Sequence, residues 1–181
     1  MTEAATGIDG ITVIEPQVFH DARGYFFESF SSRRFDGLVG KNISFVQDNQ
    51  SLSKKGVVRG LHYQIAPKAQ GKLVRVLAGE IFDVVVDIRR DSPRFGQWTG
   101  IILSADNKKQ LWIPEGFAHG FQVLSDIAEV FYKTTDYWSA EHERAIRWND
   151  PAIGIDWPLK TNPVVSGKDN DAPLLSAATL A

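Results

Sequence analysis

Along most of this chain apolar and polar positions alternate with a period of two, in runs too short for helices. The clearest run is Ile81 to Ile88. Phe82, Val84, Val86 and Ile88 share one face, and Asp83 and Asp87 the other. Leu73 to Ala78 forms a second run, ended by Gly79-Glu80. Trp98 to Ser104 and Gln110 to Ile113 read as strands flanking the turn Ala105-Asp106-Asn107-Lys108, and Asp91-Ser92-Pro93 as a further turn. Gly120 to Leu124 and Glu129 to Thr134 predict another hairpin around Ser125-Asp126. Near the start, Phe26, Glu28 and Phe30 share one strand face, with Tyr25 and Phe27 opposite. Helix signals are confined to Ser29–Val39, centred on Ser32 to Leu38, and a short Ala140–Ala145. Many short strands at regular spacing predict an all-β fold, an antiparallel sandwich or jelly-roll barrel with a few short helices. Pro151, Pro158, Pro163 and Pro173 predict that the chain around and after Trp157 wraps the surface. From about 172 it should be loosely ordered, ending in a frayed SAATLA.

Length and composition narrow the classes. The 181 residues suit one domain spanning 1–181, large enough to bury a core without staples. There is no cysteine, which removes disulfides, thiolate nucleophiles and Cys-ligated metals. A formal net charge of −2 offers no global field for nucleic acid or anionic membrane, so anion binding must come from a local cluster. The first residues, MTEAATGIDG, lack the basic and apolar regions of a signal peptide, and no apolar run reaches membrane-spanning length. The expectation is a soluble, cytoplasmic protein. No fixed-period repeat or low-complexity tract interrupts it.

The candidate chemistry lies in two short stretches. Pro114-Glu115-Gly116-Phe117-Ala118-His119 has the PxGxxH spacing of the second half-motif of cupins, where a turn aims histidine into a barrel. The first half-motif needs a closely spaced histidine pair, but here Tyr63-Gln64 follows His62. A divalent metal wants three or four convergent ligands. With four histidines and no cysteine, the sequence predicts a cupin-like barrel with no metal and no cofactor, suited to organic acid–base chemistry.

A wider set of motifs occurs in order: Arg23-Gly24-x-Phe26-x-Glu28, Gln47-Asp48-Asn49-x-Ser51, Val58-Arg59-Gly60-Leu61-His62-Tyr63-Gln64, Gly71-Lys72, the stretch around His119, Tyr132-Lys133, and Ser166-x-Lys168-Asp169. Together they resemble the dTDP-4-dehydrorhamnose 3,5-epimerases, over roughly Ile8 to Asp171. That resemblance implies a homodimeric isomerase of dTDP-L-rhamnose synthesis, on the route to polysaccharides such as O-antigen, acting on a dTDP-linked 4-keto-6-deoxy sugar. It implies His62 as general base and Asp169 as its orienting carboxylate, with Asp83 a rival because it shares the barrel-lining face. Tyr132 then matches the proton donor on the opposite face of the sugar, and Lys72 sits near the C4 keto oxygen. His119 is implied at the same oxygen or in positioning. Arg23 and Arg59 resemble phosphate and nucleotide contacts, and Glu28, Gln47 and Asn49 groups that hydrogen-bond the thymine and sugar. Glu143 and Lys168 match further binding positions. Trp138 stands where the family usually carries a tyrosine that stacks on thymine.

Other readings divide on named features. A C3-only epimerase would keep these residues and differ in pocket shape. A keto-sugar 3,4-isomerase is expected to lean on a histidine pair, which Tyr63-Gln64 disfavours. A cupin that only binds nucleotide sugar or another protein would not need His62, Asp169 and Tyr132 together. For the dimer, the aromatic segment Tyr25 to Phe30 is the candidate for pairing with a neighbour's sheet edge.

Overall fold

The computed structural model describes residues 2–5, 7–40, 42–160 and 162–180. In chain order the strands are β1 (Thr2–Ala5), β2 (Thr12–Glu15), β3 (Val18–Asp21), β4 (Gly24–Phe27), β5 (Gln47–Lys54), β6 (Val57–Gln64), β7 (Lys72–Ala78), β8 (Glu80–Asp87), β9 (Trp98–Ser104), β10 (Gln110–Ile113), β11 (Phe117–Val123), β12 (Ile127–Thr134), β13 (Glu143–Ala145) and β14 (Val164–Val165). The helices are α1 (Ser32–Val39) and α2 (Gly167–Asn170), followed by a 3-10 turn at Leu175–Ala177. No helix among the described residues is long and apolar enough to cross a membrane.

Two sheets face each other. One has the order β1-β2-β10-β7-β12-β5; the other runs β13-β6-β11-β8-β9, with β14 added parallel to β6. The remaining pairs are antiparallel, as in a cupin-like jelly roll. Between the sheets lies a core of branched residues, among them Val74, Val76, Ile81, Val85, Leu111, Val123 and Val130. A second cluster covers the outer face of the β6–β11–β8 sheet, where Val84, Val86, Leu61 and Ile146 meet Trp157 and Ala178. So β8 is buried on both sides. Its even-numbered valines face the chain's C-terminal wrap, while Asp83 and Asp87, each 0% exposed, point inward.

Two expected hairpins do not form. β9 pairs with β8 and β10 with β7, so the turn between β9 and β10 crosses from one sheet to the other. β11 pairs with β8 and β6, and β12 with β7 and β5, so the Ser125-Asp126 connection crosses as well. Adjacent alternating runs cannot report whether they share a sheet, because period two fixes facing and not partners.

Local corrections have local causes. The helix predicted from Ser29 starts only at Ser32, since Phe30 leaves the helix to pack on Phe35 and Phe45. It stops at Gly40, which adopts φ 68° and returns its N–H to the Asp36 carbonyl at 2.9 Å. Its buried Phe35 meets Trp112 edge-on across the outer face of the first sheet. Ala140–Ala145 is not helical. Its second half becomes β13 and pairs Glu143 with Gln64 and Ala145 with His62, supplying backbone partners to the edge of β6. The aromatic run near the start is a strand only over Gly24–Phe27, in a hairpin with β3 that leaves Tyr25 and Phe26 exposed. The tail from about 172 is packed where loose order was expected. The Leu175 N–H reaches Asp150, Pro173 and Ala172 accept from Arg147, and Tyr63 donates to the Thr179 carbonyl. Ala181 lies outside the described residues.

Candidate active site

One pocket of about 470 Å³ opens between the sheets. From β6 it receives Arg59, His62 and Gln64; from β11, His119 and Phe121. The opposite sheet supplies Lys72 at the start of β7, Tyr132 on β12, and Gln47, Asn49 and Ser51 on β5. Strand alternation groups Gln47, Asn49 and Ser51, His62 and Gln64, and His119 and Phe121, since i and i+2 share a face. Arg59 joins His62 only through the register shift in the β6–β11 ladder, where β6 carries one extra residue. A larger cleft of about 740 Å³ beside α1 has one titratable lining residue, Glu115, so volume alone does not locate the chemistry.

Each histidine of the pocket has its own carboxylate. His62 Nε2 lies 2.6 Å from Asp169 Oδ1. Asp169 is carried by α2, is 3% exposed, and also accepts the Gly60 N–H at 3.3 Å. Its own N–H bonds the Ser166 hydroxyl that caps the helix. Burial alone would raise the Asp169 carboxyl. The hydrogen bond and charge of His62, with Gly60 and Ser166, hold it below the usual carboxylate range. Asp83, the rival partner, instead takes His119, whose Nε2 is 3.0 and 2.9 Å from its two oxygens. His62 and His119 face each other across the β6–β11 ladder. The strands come unusually close there: a Cβ on Gly60 would stand 2.5 Å from the Gly120 Cα, and Gly60 has φ +126°.

Lys72 is 8% exposed and donates to the His62 carbonyl at 3.2 Å. Burial lowers its ammonium to about 8, against the opposing pull of Asp83 and Glu143. Tyr132 is half-buried against the core, and burial raises its hydroxyl above the ordinary value, with Arg59 opposing and Glu143 adding. Arg59 donates to Ser53 at 3.0 Å. Gln47 links two pocket groups, donating to Asn49 at 2.9 Å and accepting the Trp138 N–H at 3.0 Å.

At the rim stands Trp138, 58% exposed, with Glu143 beside it. Burial would raise the Glu143 carboxyl, but Lys168, 2.6 Å away, together with the Trp138 indole and His62, lowers it. Lys168 thus touches the site through Glu143. Arg23 and Glu28 are not brought into this pocket. Arg23, with a side chain 90% exposed, pairs with Asp21 at the tip of the β3–β4 hairpin, and Glu28 pairs with Arg34. No group of three or more His, Asp or Glu able to hold a metal occurs among the described residues. The position of the second cupin histidine belongs to Gln64, whose amide is engaged by three backbone groups. In the sequence Ser51 and Phe121 stand only as motif members without a role, and Gln70 is not singled out, yet all three line the pocket. Ser51 and Phe121 were within reach of alternation, two residues beyond Asn49 and His119.

Residues 5–177 match the model of the dTDP-4-dehydrorhamnose 3,5-epimerase family. The chain is 58% identical to the dTDP-4-dehydrorhamnose 3,5-epimerase of Salmonella typhimurium over 175 residues, covering 97% of this chain and 96% of that one. It is 57% identical to the enzyme of the same name from Pseudomonas aeruginosa, covering 98% of both. Among solved structures it superposes on the dTDP-6-deoxy-D-glucose-3,5-epimerase of Legionella pneumophila in complex with dTDP-4-keto-L-rhamnose. The TM-score is 0.94 at 55% identity, over 97% of this chain and 93% of that one.

Proposed function

Because the chain belongs to the dTDP-4-dehydrorhamnose 3,5-epimerase family, we propose that the pocket between the sheets seats dTDP-4-dehydro-6-deoxy-D-glucose with its C3 and C5 hydrogens toward His62. The protein is an isomerase that inverts both carbons to give dTDP-4-dehydro-L-rhamnose. The C4 ketone acidifies both neighbours, and in the gluco configuration both hydrogens are axial on one face, so a single base serves both.

The observation that carries the assignment is the His62–Asp169 contact at 2.6 Å in a pocket whose far wall presents Tyr132. Asp169 accepts from Nε2 and leaves the Nδ1 lone pair as the base. His62 takes the proton from carbon. Electron density moves to the C4 oxygen, where buried Lys72 stabilises the enolate and His119, held by Asp83, helps position it. Tyr132 then protonates the carbon from the opposite sheet's side, and the centre inverts. Arg59 meets the diphosphate, Gln47 and Asn49 the sugar and base, and Trp138 stacks on thymine with Glu143 and Lys168 behind it.

Proton NMR of substrate and enzyme in deuterated water tests the roles. His62→Ala abolishes label uptake at C3 and C5 together, a loss of at least ~10²–10⁴-fold. Tyr132→Phe still washes label into the substrate but inverts poorly, because the enolate reprotonates from His62. Wild-type exchange at either carbon in His62→Ala rejects the scheme.

The same reading makes the protein a homodimer. Arg23 and Glu28, which the family resemblance assigns to substrate, lie on a hairpin outside their own pocket. That hairpin exposes Phe19, Tyr25 and Phe26 at 55%, 57% and 71%. A second copy covers those rings and receives the arginine and glutamate at its pocket.

A further inference from the structure

Gln64 occupies the place of a metal-binding histidine and yet is neither base, acid nor ligand. It is 7% exposed and lies opposite Glu143 in the β6–β13 ladder. Its amide nitrogen donates to the Lys68 carbonyl at 2.5 Å and the Tyr137 carbonyl at 3.2 Å, and its oxygen accepts the Ser139 N–H at 2.7 Å. Two of these three bonds bracket Trp138, whose own N–H goes to Gln47. Gln70 holds the preceding carbonyl, Asp136 O, at 2.7 Å. Glu143 accepts from the indole itself. The backbone around an exposed tryptophan is therefore pinned on both sides by buried or half-buried amides, in a segment with no strand ladder of its own.

We infer that Gln64 is a positioning residue for nucleotide recognition: it fixes residues 137–139 so that the Trp138 ring is already set for the base before substrate arrives. A stacking platform held in place binds without ordering a loop first, and the benefit falls on the nucleoside half of the ligand alone. Arg59, the diphosphate contact, lies five residues earlier on β6 and is held by Ser53, with no bond to residues 137–139. The inference rests on the reading of Trp138 as the stacking residue, and the test separates the two.

Gln64→Met keeps the volume and removes all three bonds. Calorimetric titration with dTDP and, separately, with inorganic pyrophosphate gives the readout, with Trp138→Ala as the reference. The expected result is a rise of about tenfold in the dTDP Kd for Gln64→Met, with pyrophosphate binding unchanged within about twofold. In turnover, KM rises while kcat stays within about threefold. The double variant should bind dTDP no more weakly than Trp138→Ala alone, because both lesions act through one ring. If Trp138→Ala weakens dTDP and Gln64→Met does not, Gln64 is not a positioning residue. Equal loss of dTDP and pyrophosphate, or additive losses in the double variant, also overturns it by showing a general collapse of the pocket. If Trp138→Ala leaves dTDP binding intact, the stacking assignment itself falls and this inference with it. Circular dichroism and thermal melting check that Gln64→Met folds. Should it not, Gln70→Met releases the same segment at Asp136 and must show the same dTDP-selective loss.

Discussion

At the scale of the residue, Lys72 is the group whose environment speaks most directly to activity. A lysine lowered to about 8 by burial is only partly charged in mildly alkaline solution. If the ammonium is what steadies the enolate, kcat/KM falls as pH rises through about 8, close to tenfold per pH unit beyond it. Lys72→Ala should lose roughly 10²–10³-fold and show no such limb between pH 7 and 9. A wild-type profile flat to pH 9.5 rejects the role. Stability runs the other way. The folded pKa lies below the ordinary lysine value of ~10.4, so the charged form is the costly one, and the folded state gains stability as pH rises from about 8 toward that value. The choice between Asp83 and Asp169 for His62 shows what single residues in a sequence do and do not tell. Alternation along β8 correctly turned Asp83 inward, but inward is shared by every pocket residue. The registers decide the pairing: β11 lies between β6 and β8, with His119 opposite His62 and Asp83 one diagonal step away opposite Phe121, so Asp83 reaches His119 and not His62.

At the scale of the element, strands were legible and their partners were not. Ile81–Ile88, Trp98–Ser104 and Gln110–Ile113 come out close to the strands found, because a short run rich in β-branched and aromatic residues is a property of each segment. Which sheet a strand joins depends on where the chain crosses between layers, and the turn sequences at 105–108 and 125–126 would serve a hairpin equally well. The tail misled for a related reason. Its prolines and small residues remove ladder bonds, which read as looseness, yet Leu175, Ala178 and Leu180 pack on the outer face of the second sheet. A chain ending at Ala172 should therefore lose roughly 3–5 kcal/mol of apolar burial, a fall in Tm of roughly 10 °C. The His62–Asp169 contact precedes the cut, so the folded fraction should still exchange deuterium into substrate. Calorimetry showing an unchanged melting temperature would contradict the packing described.

At the scale of the whole molecule, the proposed dimer has a consequence that one chain cannot have. If Arg23 serves the neighbour's pocket while His62 serves its own, Arg23→Ala and His62→Ala damage different halves of a shared site. Each variant alone is impaired at both pockets. Unfolding and refolding them as an equal mixture makes mixed dimers in which one pocket carries both lesions and the other neither, restoring about a quarter of wild-type activity at random assembly. No recovery on mixing, or a monomeric mass by light scattering at micromolar concentration, argues that the hairpin does not cross.

The carboxylate that bonds His62 follows it by 107 residues, on the four-residue helix α2. On a ribosome those residues leave the exit tunnel after every strand of the two main ladders has been made. A released chain truncated before Ser166 keeps every strand of the two main ladders while the His62 imidazole has no Asp169 partner. On the proposed mechanism the strands are therefore synthesised first, and the base gains its partner only when the segment at Ser166–Asp169 follows them.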